Sequence, residues 1–191
     1  MRFIGIDPST KTGFVALDKN GNILRDKQIK GIGDQDPKRM RTMIVDIMQH
    51  IQKGDVICIE GFGFASQQAV QNGGIGWGVR MALEARGYSY YEVAPNALKK
   101  FVNVTGWKGE KGSKERLGTK EKKLVVRNAI VEHYGYLQKN DNIADAFVLA
   151  QIAKAIKQGD ISSLPVYQQE VIDTILNPPE KVKKLRKKVA K

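Results

Sequence analysis

The sequence predicts a mixed α/β fold, in which helices cover a sheet whose strands come early in the chain. Short apolar runs separated by turn residues fill positions 1–30, and apolar residues recur at helical spacing from position 37 onward. The predicted order, three strands, then alternating helices and strands, then helices, is typical of a sheet covered by helices. With 191 residues, 41% of them hydrophobic, the chain suits one domain with a sizeable core.

Three strands open the predicted domain. Phe3–Asp7 is apolar and ends in a carboxylate, and a turn rich in Pro, Ser, Thr and Gly separates it from a second strand at 14–17. The pair Asn20-Gly21 predicts a hairpin, after which residues 23–30 return as a third strand. These strands are expected to pair antiparallel.

Helices and strands alternate through the middle of the chain. Apolar residues between 37 and 53 recur at helical spacing, and Gly54 is placed to end this helix. Val56–Glu60 is predicted to be a buried strand that again ends in a carboxylate. After a glycine-rich stretch at 61–78, a helix is expected at about 79–86.

Helices dominate the rest of the predicted domain. A strand at 88–93 and a short helix at 95–102 precede a polar, strongly basic segment at 105–123, which is expected to be a mobile loop. Two further helices are predicted at about 120–134 and 142–157.

A basic tail is predicted to follow the domain. Pro178 and Pro179 separate the tail from the preceding residues, and seven of the last twelve residues are Lys or Arg. Such a run of like charges favours a segment that is disordered when free. The prediction is therefore a domain at 1–177 and a disordered tail at 178–191.

The charge of the chain indicates a polyanionic partner. Lys and Arg number 32 against 20 Asp and Glu, which leaves a formal charge of +12. The single cysteine, Cys58, and only two histidines exclude an intramolecular disulfide and make zinc sites built on these residues implausible. No apolar run approaches the ~20 residues that span a bilayer. Since a strand begins at residue 3 without a secretory signal, we expect a cytoplasmic protein without membrane partners.

Four carboxylates are candidates for a metal site. Asp7 and Glu60 end predicted core strands, while Asp141 and Asp145 lie four apart, on one face of a predicted helix. Each has an ordinary alternative, Asp141 as a helix N-cap, Asp7 as a turn residue and Glu60 as a surface charge. Together they are expected at the edge of the sheet where strands end, which is where α/β sites form. Such all-oxygen ligands suit Mg²⁺ or Mn²⁺, and two such ions can promote phosphodiester hydrolysis.

Several segments occur in an order that resembles a known family. They are Gly5-Ile6-Asp7-Pro8-Ser9-Thr10-Lys11-Thr12-Gly13, Ile59-Glu60, Val93-Ala94-Pro95-Asn96-Ala97-Leu98-Lys99-Lys100, Thr105-Gly106 and Ala144-Asp145-Ala146. Over residues 1–155 the chain resembles the RuvC family of Holliday-junction resolvases, in the divergent form that bacteriophages carry. The resemblance implies an RNase H-like fold with a mixed five-stranded sheet flanked by helices. It also implies a homodimer that nicks four-way DNA junctions symmetrically in DNA recombination and repair, in the host cytoplasm if phage-encoded.

The resemblance also implies roles for the carboxylates. Asp7, Glu60 and Asp145 take the place of three of the four family carboxylates, which bind Mg²⁺, with Mn²⁺ as a substitute and two ions expected per site. Bacterial members carry Asp three residues before the last carboxylate, where this chain has Asn142. We therefore assign the fourth role to Asp141, which reaches the same helical face.

Basic and aromatic residues supply candidate DNA contacts. The family uses lysines near the metals to hold phosphates, and the candidates are Lys99 or Lys100 together with Lys120 or Lys123, the latter two also as catalytic residues. Trp107 either stacks on a base or packs the basic segment down, and Phe62 and Phe64 either lie in the core or stack on bases. The full set of predicted DNA-binding residues is Phe62, Phe64, Lys99, Lys100, Trp107, Lys108, Lys111, Lys114, Arg116 and Lys120.

Other functions compete with the junction resolvase. A looser nuclease would cleave forks or flaps, and the sequence does not separate it from a resolvase. A non-catalytic DNA-binding protein would gain nothing from four acidic residues on a basic, DNA-facing surface. The first segment also resembles the phosphate loop of sugar kinases and actin-like ATPases, but those enzymes need two such domains and 191 residues are too few.

Overall fold

The computed structural model describes residues 1–63, 68–110 and 112–178. Its centre is a five-stranded sheet with the order β3–β2–β1–β4–β5. The strands are β1 (Phe3–Asp7), β2 (Thr12–Leu17), β3 (Ile23–Ile29), β4 (Val56–Glu60) and β5 (Tyr91–Val93). The first three pair antiparallel, while β4 runs parallel to both β1 and β5. The mixed sheet and its antiparallel opening are therefore confirmed.

Helices cover both faces of this sheet. They are α1 (Lys38–His50), α2 (Ala69–Glu84), α3 (Pro95–Phe101), α4 (Thr119–Tyr134), α5 (Asp141–Gln158) and α6 (Val166–Leu176). One core contains α1 and α2, and the other contains α3 to α6. Because side chains alternate along a strand, Phe3 of β1 and Cys58 of β4 enter the α5 core, while Ile4 and Ile57 enter the α1 and α2 core.

Helix α5 lies directly on the backbone of the first two strands. A Cβ on Gly5 would lie 1.9 Å from the carbonyl oxygen of Ala146, and one on Gly13 would lie 1.9 Å from that of Asn142. Only glycine allows so close an approach. These contacts fix the first two turns of α5 above the ends of β1 and β2.

The start of α2 differs from the sequence prediction. The sequence predicts this helix at about 79–86, but in the structure it begins at Ala69. The two differ because four glycines that were assigned to the preceding loop lie inside the helix. A Cβ on Gly76 would lie 2.9 Å from Phe62 and one on Gly78 would lie 2.3 Å from Ile44. Each glycine destabilises the helix by about 1 kcal/mol relative to alanine. Because glycine has no side chain, however, neighbouring side chains pack closely against α2.

The basic segment also differs from its prediction. The expected loop at 105–123 contains a two-stranded antiparallel sheet of β6 (Trp107–Lys108) and β7 (Glu115–Arg116). Its last residues belong to α4, whose first turn is stabilised where the Gly118 N–H donates to Glu121 Oε2 at 2.8 Å. Helix α6, for which the sequence prediction had no counterpart, packs against α3.

Two further observations concern membrane-spanning helices and the C-terminal residues. None of the helices in the described part of the chain combines the length and the hydrophobicity needed to cross a bilayer. Residues 179–191, which make up nearly all of the predicted tail, lie outside the described residues, so the division into domain and tail stays a prediction.

Candidate active site

Three carboxylates meet where β1 and β4 end beneath α5. The parallel pairing of Ile6 with Ile59 places Asp7 and Glu60 side by side, both on the face that α5 covers. The contact of α5 with Gly5 brings Asp145 over the same point. Asp7, Glu60 and Asp145 interact electrostatically with one another, and Asp7 lies within hydrogen-bonding reach of Glu60. We call these three residues the carboxylate cluster.

The carboxylate cluster holds protons more tightly than isolated carboxylates do. Burial raises the pKa of Asp7 well above its usual value, and the charges of Glu60 and Asp145 raise it further. Burial likewise raises the pKa of Glu60. For Asp145, burial and then the charge of Glu60 raise the pKa to about 7. Three anions in so small a buried volume repel one another, so bound protons or a cation stabilise the cluster.

Asp141 lies at the edge of the cluster, one helical turn before Asp145. Its Oδ2 is 3.0 Å from Lys123 Nζ, and its Oδ1 is 3.6 Å from Arg127 Nε. The N-cap of α5 is Asn140, whose side chain accepts from the N–H groups of residues 142 and 143. The N-cap alternative for Asp141 is therefore wrong, and its charge instead faces two cations and helps to raise the pKa of Asp145.

Asn142 occupies the position where bacterial RuvC proteins carry Asp, and here it is a tether. Its Nδ2 donates to the carbonyl oxygen of Lys11 and to Ser9 Oγ, the latter at 3.3 Å. These bonds hold the β1–β2 turn, which follows Asp7 directly, against the start of α5. No sequence pattern indicates this role, because it depends on two segments more than 130 residues apart.

The donor atoms fit a hard divalent cation in type and location. Carboxylate oxygens are the ligands that Mg²⁺ prefers, and Asp141 Oδ1 is buried without a hydrogen-bond partner. Within the described residues, however, no three Asp, Glu, His or Cys side chains are arranged as a ready-made metal site. Side chains of the cluster would have to turn before they could hold an ion.

Two depressions border the carboxylates. The first, of about 160 Å³, is the basic pocket, and its lining includes Lys99, Lys122, Lys123, Arg127, Asp141 and Asp145. The second, of about 350 Å³, is the glycine pocket, and its lining includes Asp7, Glu60, Phe62, Asn72, Trp77, Arg80 and four glycines. The four predicted carboxylates thus lie between a cationic wall and an aromatic one.

The structure separates the predicted lysines into two groups. Lys99 and Lys123 line the basic pocket, and both lower the pKa of Asp145. Lys100 instead pairs with Glu170 of α6, and Lys120 is exposed in the first turn of α4, outside the lining of this pocket. Of each predicted pair, the structure therefore brings one member to the carboxylates.

Two cations beside the carboxylates were not predicted. Lys122 lines the basic pocket, and Arg127 lies one turn after Lys123 on the same side of α4. Lys123 and Arg127 are four residues apart, which places both on the same face of α4. This spacing predicts that both contact Asp141 only if the orientation of α4 is known. The sequence alone does not show which face of α4 points toward Asp141.

A third depression extends from the basic pocket along the two-stranded sheet. This tryptophan groove, of about 520 Å³, is lined by Asn96, Lys99, Lys100, Asn103, Val104, Thr105, Gly106, Trp107, Arg116, Lys122 and Tyr167. Trp107 is 54% exposed, which favours contact with a ligand over packing of the segment. Lys108 pairs with Glu121 at 2.9 Å, and Lys114 is exposed. Phe64 and Lys111 lie outside the described residues.

Phe62 is held in place by a buried arginine that the sequence prediction missed. The guanidinium of Arg80 lies 4.3 Å from the centre of the Phe62 ring, and Trp77 contacts the same ring at 5.3 Å. Arg80 also donates to the carbonyl oxygen of Glu60 at 2.9 Å and pairs with Glu92 at 2.9 Å. Phe62 is half-buried and lines the glycine pocket.

Comparison with solved structures identifies the fold. Thermus thermophilus RuvC matches with a TM-score of 0.57 and 18% sequence identity, over 83% of this chain and 97% of that chain. The chain has the RuvC fold. T. thermophilus RuvC in complex with a Holliday junction substrate also matches, with a TM-score of 0.53 and 15% identity, over 83% of this chain and 96% of that chain. The predicted RNase H-like architecture, and the resemblance to RuvC at the level of fold, are confirmed.

Sequence comparison adds nothing to the structural match. No protein-family model matches the chain, and no curated protein matches it either.

Proposed function

We propose that this protein is a divalent-metal-dependent endonuclease that resolves four-way DNA junctions. The observation that carries the proposal is the carboxylate cluster, buried at the strand ends and bordered by cations on a RuvC fold. A RuvC of the same fold is known in complex with a Holliday junction substrate. A protein that only bound DNA would have no use for three buried anions at the centre of its basic surface.

In this proposal the carboxylates would bind the metal ions and the lysines would bind the DNA phosphate. Asp7, Glu60, Asp145 and Asp141 would hold the Mg²⁺ or Mn²⁺, two ions per site in our proposal. When bound, these ions supply the Lewis acidity that phosphodiester hydrolysis requires. Lys99 and Lys123 would hold the scissile phosphate through their ammonium groups. Lys123 Nζ also lies 3.0 Å from Asp141 Oδ2 and so holds this carboxylate at the edge of the cluster.

The DNA would follow the basic surface away from the carboxylates. Lys99 and Lys122 line both the basic pocket and the tryptophan groove, so the two depressions form one cationic path. Trp107 and Arg116 lie at the outer part of this path and would contact bases and phosphates there. The basic tail, residues 178–191, would add sequence-independent affinity for phosphates.

A second copy of the chain would supply the second nick. Helix α2 exposes Val70, Trp77 and Met81, which are 86%, 59% and 61% exposed. Their spacing of seven and four residues places them on one stripe of the helix. Gly74 lies on the same stripe and would allow two α2 helices to approach closely. A homodimer through this stripe would present two carboxylate clusters to one junction.

The test is nicking of a synthetic four-way junction with labelled strands. The wild type is expected to cut opposed strands in Mg²⁺ but not in EDTA. Asp7→Asn removes one charge with little change of shape and is expected to abolish cleavage while the protein still binds junctions. Asp18→Asn, in the β2–β3 hairpin, is the matched control and should remain active. Cleavage by Asp7→Asn at the wild-type rate, or faster cutting of forks and flaps than of junctions, would contradict the proposal.

A further inference from the structure

Lys123 contacts the carboxylates at the place where a divalent cation would bind. Its Nζ lies 3.0 Å from Asp141 Oδ2, in the basic pocket that Asp145 also lines. Burial raises the pKa of both Asp7 and Asp145, and the positive charge of Lys123 lowers the pKa of both. One ammonium group therefore acts on three of the four carboxylates.

Arg127 leaves only one oxygen of Asp141 open to an ion. The Nε of Arg127 lies 3.6 Å from Asp141 Oδ1, and its Nη1 donates to the carbonyl oxygen of Lys139 at 2.9 Å, which anchors the guanidinium beside the start of α5. Oδ1 is buried, whereas the Asp141 side chain as a whole is 29% exposed. Oδ2 is therefore the oxygen that an ion can reach, and Lys123 binds this same oxygen.

Lys123 can exchange its partner at little cost. Its side chain is 52% exposed, and an ion pair at such a site contributes little to stability because water screens it. Lys99 and Lys122 line the same basic pocket and continue into the tryptophan groove, so a DNA phosphate on this path would lie within reach of Lys123.

We propose that Lys123 is an exchangeable cation, which binds Asp141 in the DNA-free protein and transfers to a phosphate when DNA binds. The inference rests on the proposed function and adds to it a coupling between DNA and metal binding. Lys123 and a divalent cation compete for Asp141 Oδ2, so each weakens the binding of the other. A phosphate that draws Lys123 away removes this competition. By linkage, a divalent cation then strengthens junction binding by the same factor.

The first arm of the test uses the wild type alone. Lysines are acetylated with a water-soluble active ester in EDTA and in saturating Ca²⁺, and mass spectrometry gives the rate at each site. Pairing with Asp141 protects the amine, so Lys123 should react roughly 5-fold faster in Ca²⁺. Lys120, exposed in the first turn of the same helix, is the internal control and should react at one rate. An unchanged rate at Lys123 overturns the inference.

The second arm is calorimetric titration of the DNA-free protein with Mn²⁺. Lys123→Met is expected to bind Mn²⁺ at least about 5-fold more tightly than the wild type, because the competing ammonium group is gone. Lys99→Met is the matched control, since Lys99 lines the same pocket and acts on Asp145 but forms no ion pair among the described residues. Equal gains in both variants would mean that Lys123 only repels the ion at a distance, and would overturn the exchange.

The third arm is junction binding, measured by fluorescence anisotropy in EDTA and in Ca²⁺ at constant ionic strength. The wild type should bind roughly 5-fold or more tightly in Ca²⁺, and Lys123→Met should gain less than the wild type because it has no ammonium group to release. A purely electrostatic role for Lys123 predicts the reverse order, since a more negative site benefits more from neutralisation. A gain in Lys123→Met as large as that of the wild type overturns the inference.

None of the three arms needs cleavage, so the exchange and the nuclease function fail separately. If Mn²⁺ and junction binding are coupled through Lys123 but no branched DNA is cut in Mg²⁺, the nuclease proposal fails and the exchange stands. If junctions are cut but Lys123→Met gains no affinity for Mn²⁺, the nuclease proposal stands and the exchange is overturned. If the wild type and Lys123→Met both fail to bind Mn²⁺, both proposals are overturned.

Discussion

At the scale of single residues, the carboxylate cluster makes stability depend on pH. The folded protein keeps Asp145 protonated up to a pKa of about 7, whereas an unfolded Asp titrates near 3.8. The folded state therefore binds more protons than the unfolded state between these values. The contribution is favourable at low pH and is lost as the pH rises through the folded pKa. The raised pKa of Asp7 acts in the same direction.

We expect the Tm of the protein in EDTA to fall between pH 5 and pH 8 by on the order of 5 °C, since 1 kcal/mol corresponds to about 2–4 °C in a chain of this size. Mg²⁺ should restore much of this loss at pH 8, because a cation replaces the protons. Differential scanning calorimetry at both pH values measures the effect. Asp145→Asn should show a weaker pH dependence than the wild type. A Tm that rises from pH 5 to pH 8 in EDTA would contradict the expectation.

Substitutions of Asn142 test whether the RuvC sequence motif or the observed hydrogen bonds better predict the role of this position. Asn142→Asp restores the spacing of bacterial RuvC proteins, which by motif alone should preserve or improve cleavage. The structure leads to the opposite expectation, because a carboxylate does not donate to the carbonyl oxygen of Lys11 and repels it. We expect a loss of about 1 kcal/mol in stability and slower cleavage at saturating DNA.

The matched variant is Asn142→Ala, which loses the same donor without adding a charge. It should be less impaired than Asn142→Asp, and it should retain more activity than Asp141→Asn. Thermal unfolding and single-turnover cleavage measure the two effects separately. Faster cleavage by Asn142→Asp than by the wild type would show that this position is a ligand and not a tether.

The carboxylates were predictable from the sequence, whereas their partners were not. Asp7 and Glu60 each end a short apolar run, so strand alternation and parallel pairing suffice to bring them together. Arg80 and Arg127 contribute only because α2 and α4 turn one particular face toward the sheet. Neither helix has an apolar pattern strong enough to predict from the sequence which of its faces packs against the sheet.

At the scale of elements, the contact between β1 and α5 decides whether the site forms. A Cβ on Gly5 would meet the backbone of Ala146 at 1.9 Å and that of Ala150 at 2.6 Å, and helix backbone does not yield as a flexible side chain does. Gly5→Ala would therefore push α5 away from the sheet and carry Asp145 away from Asp7. We expect a loss of more than about 3 kcal/mol in stability, with little or no cleavage.

Gly73→Ala is the matched control for this substitution. A Cβ there meets nothing within 4 Å, and Gly73 lies inside α2, so alanine should stabilise the protein by about 0.5–1 kcal/mol. Chemical denaturation of both variants measures the difference. If Gly5→Ala proves as stable as the wild type, α5 does not rest on β1 as described.

The elements that sequence reasoning placed well are those whose own residues determine them. Strands β1 and β4 are short apolar runs with clear ends, and α1 has a helical repeat of apolar residues. Helix α2 was misplaced because local glycine propensity opposes the helix, while contacts with Phe62 and Ile44 favour it. The β6–β7 sheet was missed because strands of two residues leave no periodic pattern.

At the scale of the whole molecule, the exposed stripe on α2 would determine whether two sites act together in the proposed homodimer. Met81→Glu would place a charge on that stripe in each protomer, so like charges would face each other in the dimer. We expect this variant to sediment as a monomer under conditions in which the wild type sediments as a dimer. On junctions it should produce single nicks with few paired cuts.

Leu137→Glu is the control for Met81→Glu, because Leu137 is equally apolar and 74% exposed but lies between α4 and α5. It should remain dimeric and keep paired cutting. Analytical ultracentrifugation gives the oligomeric state, and a supercoiled cruciform plasmid distinguishes nicked from linear products. A Met81→Glu protein that remains dimeric and linearises the plasmid would exclude this stripe as the interface.

The parallel register of β1 and β4 has a consequence for how such a protein diverges. Asp7 and Glu60 are one interstrand step apart, about 4.8 Å, and peptide hydrogen bonds alone set this step. Loops can lengthen, and surface residues can be exchanged, without altering the separation of the two carboxylates. The surrounding helices and hairpins can therefore change in sequence while the two carboxylates keep their positions at the edge of the sheet. This chain and T. thermophilus RuvC share a fold at only 18% sequence identity, as such divergence would allow.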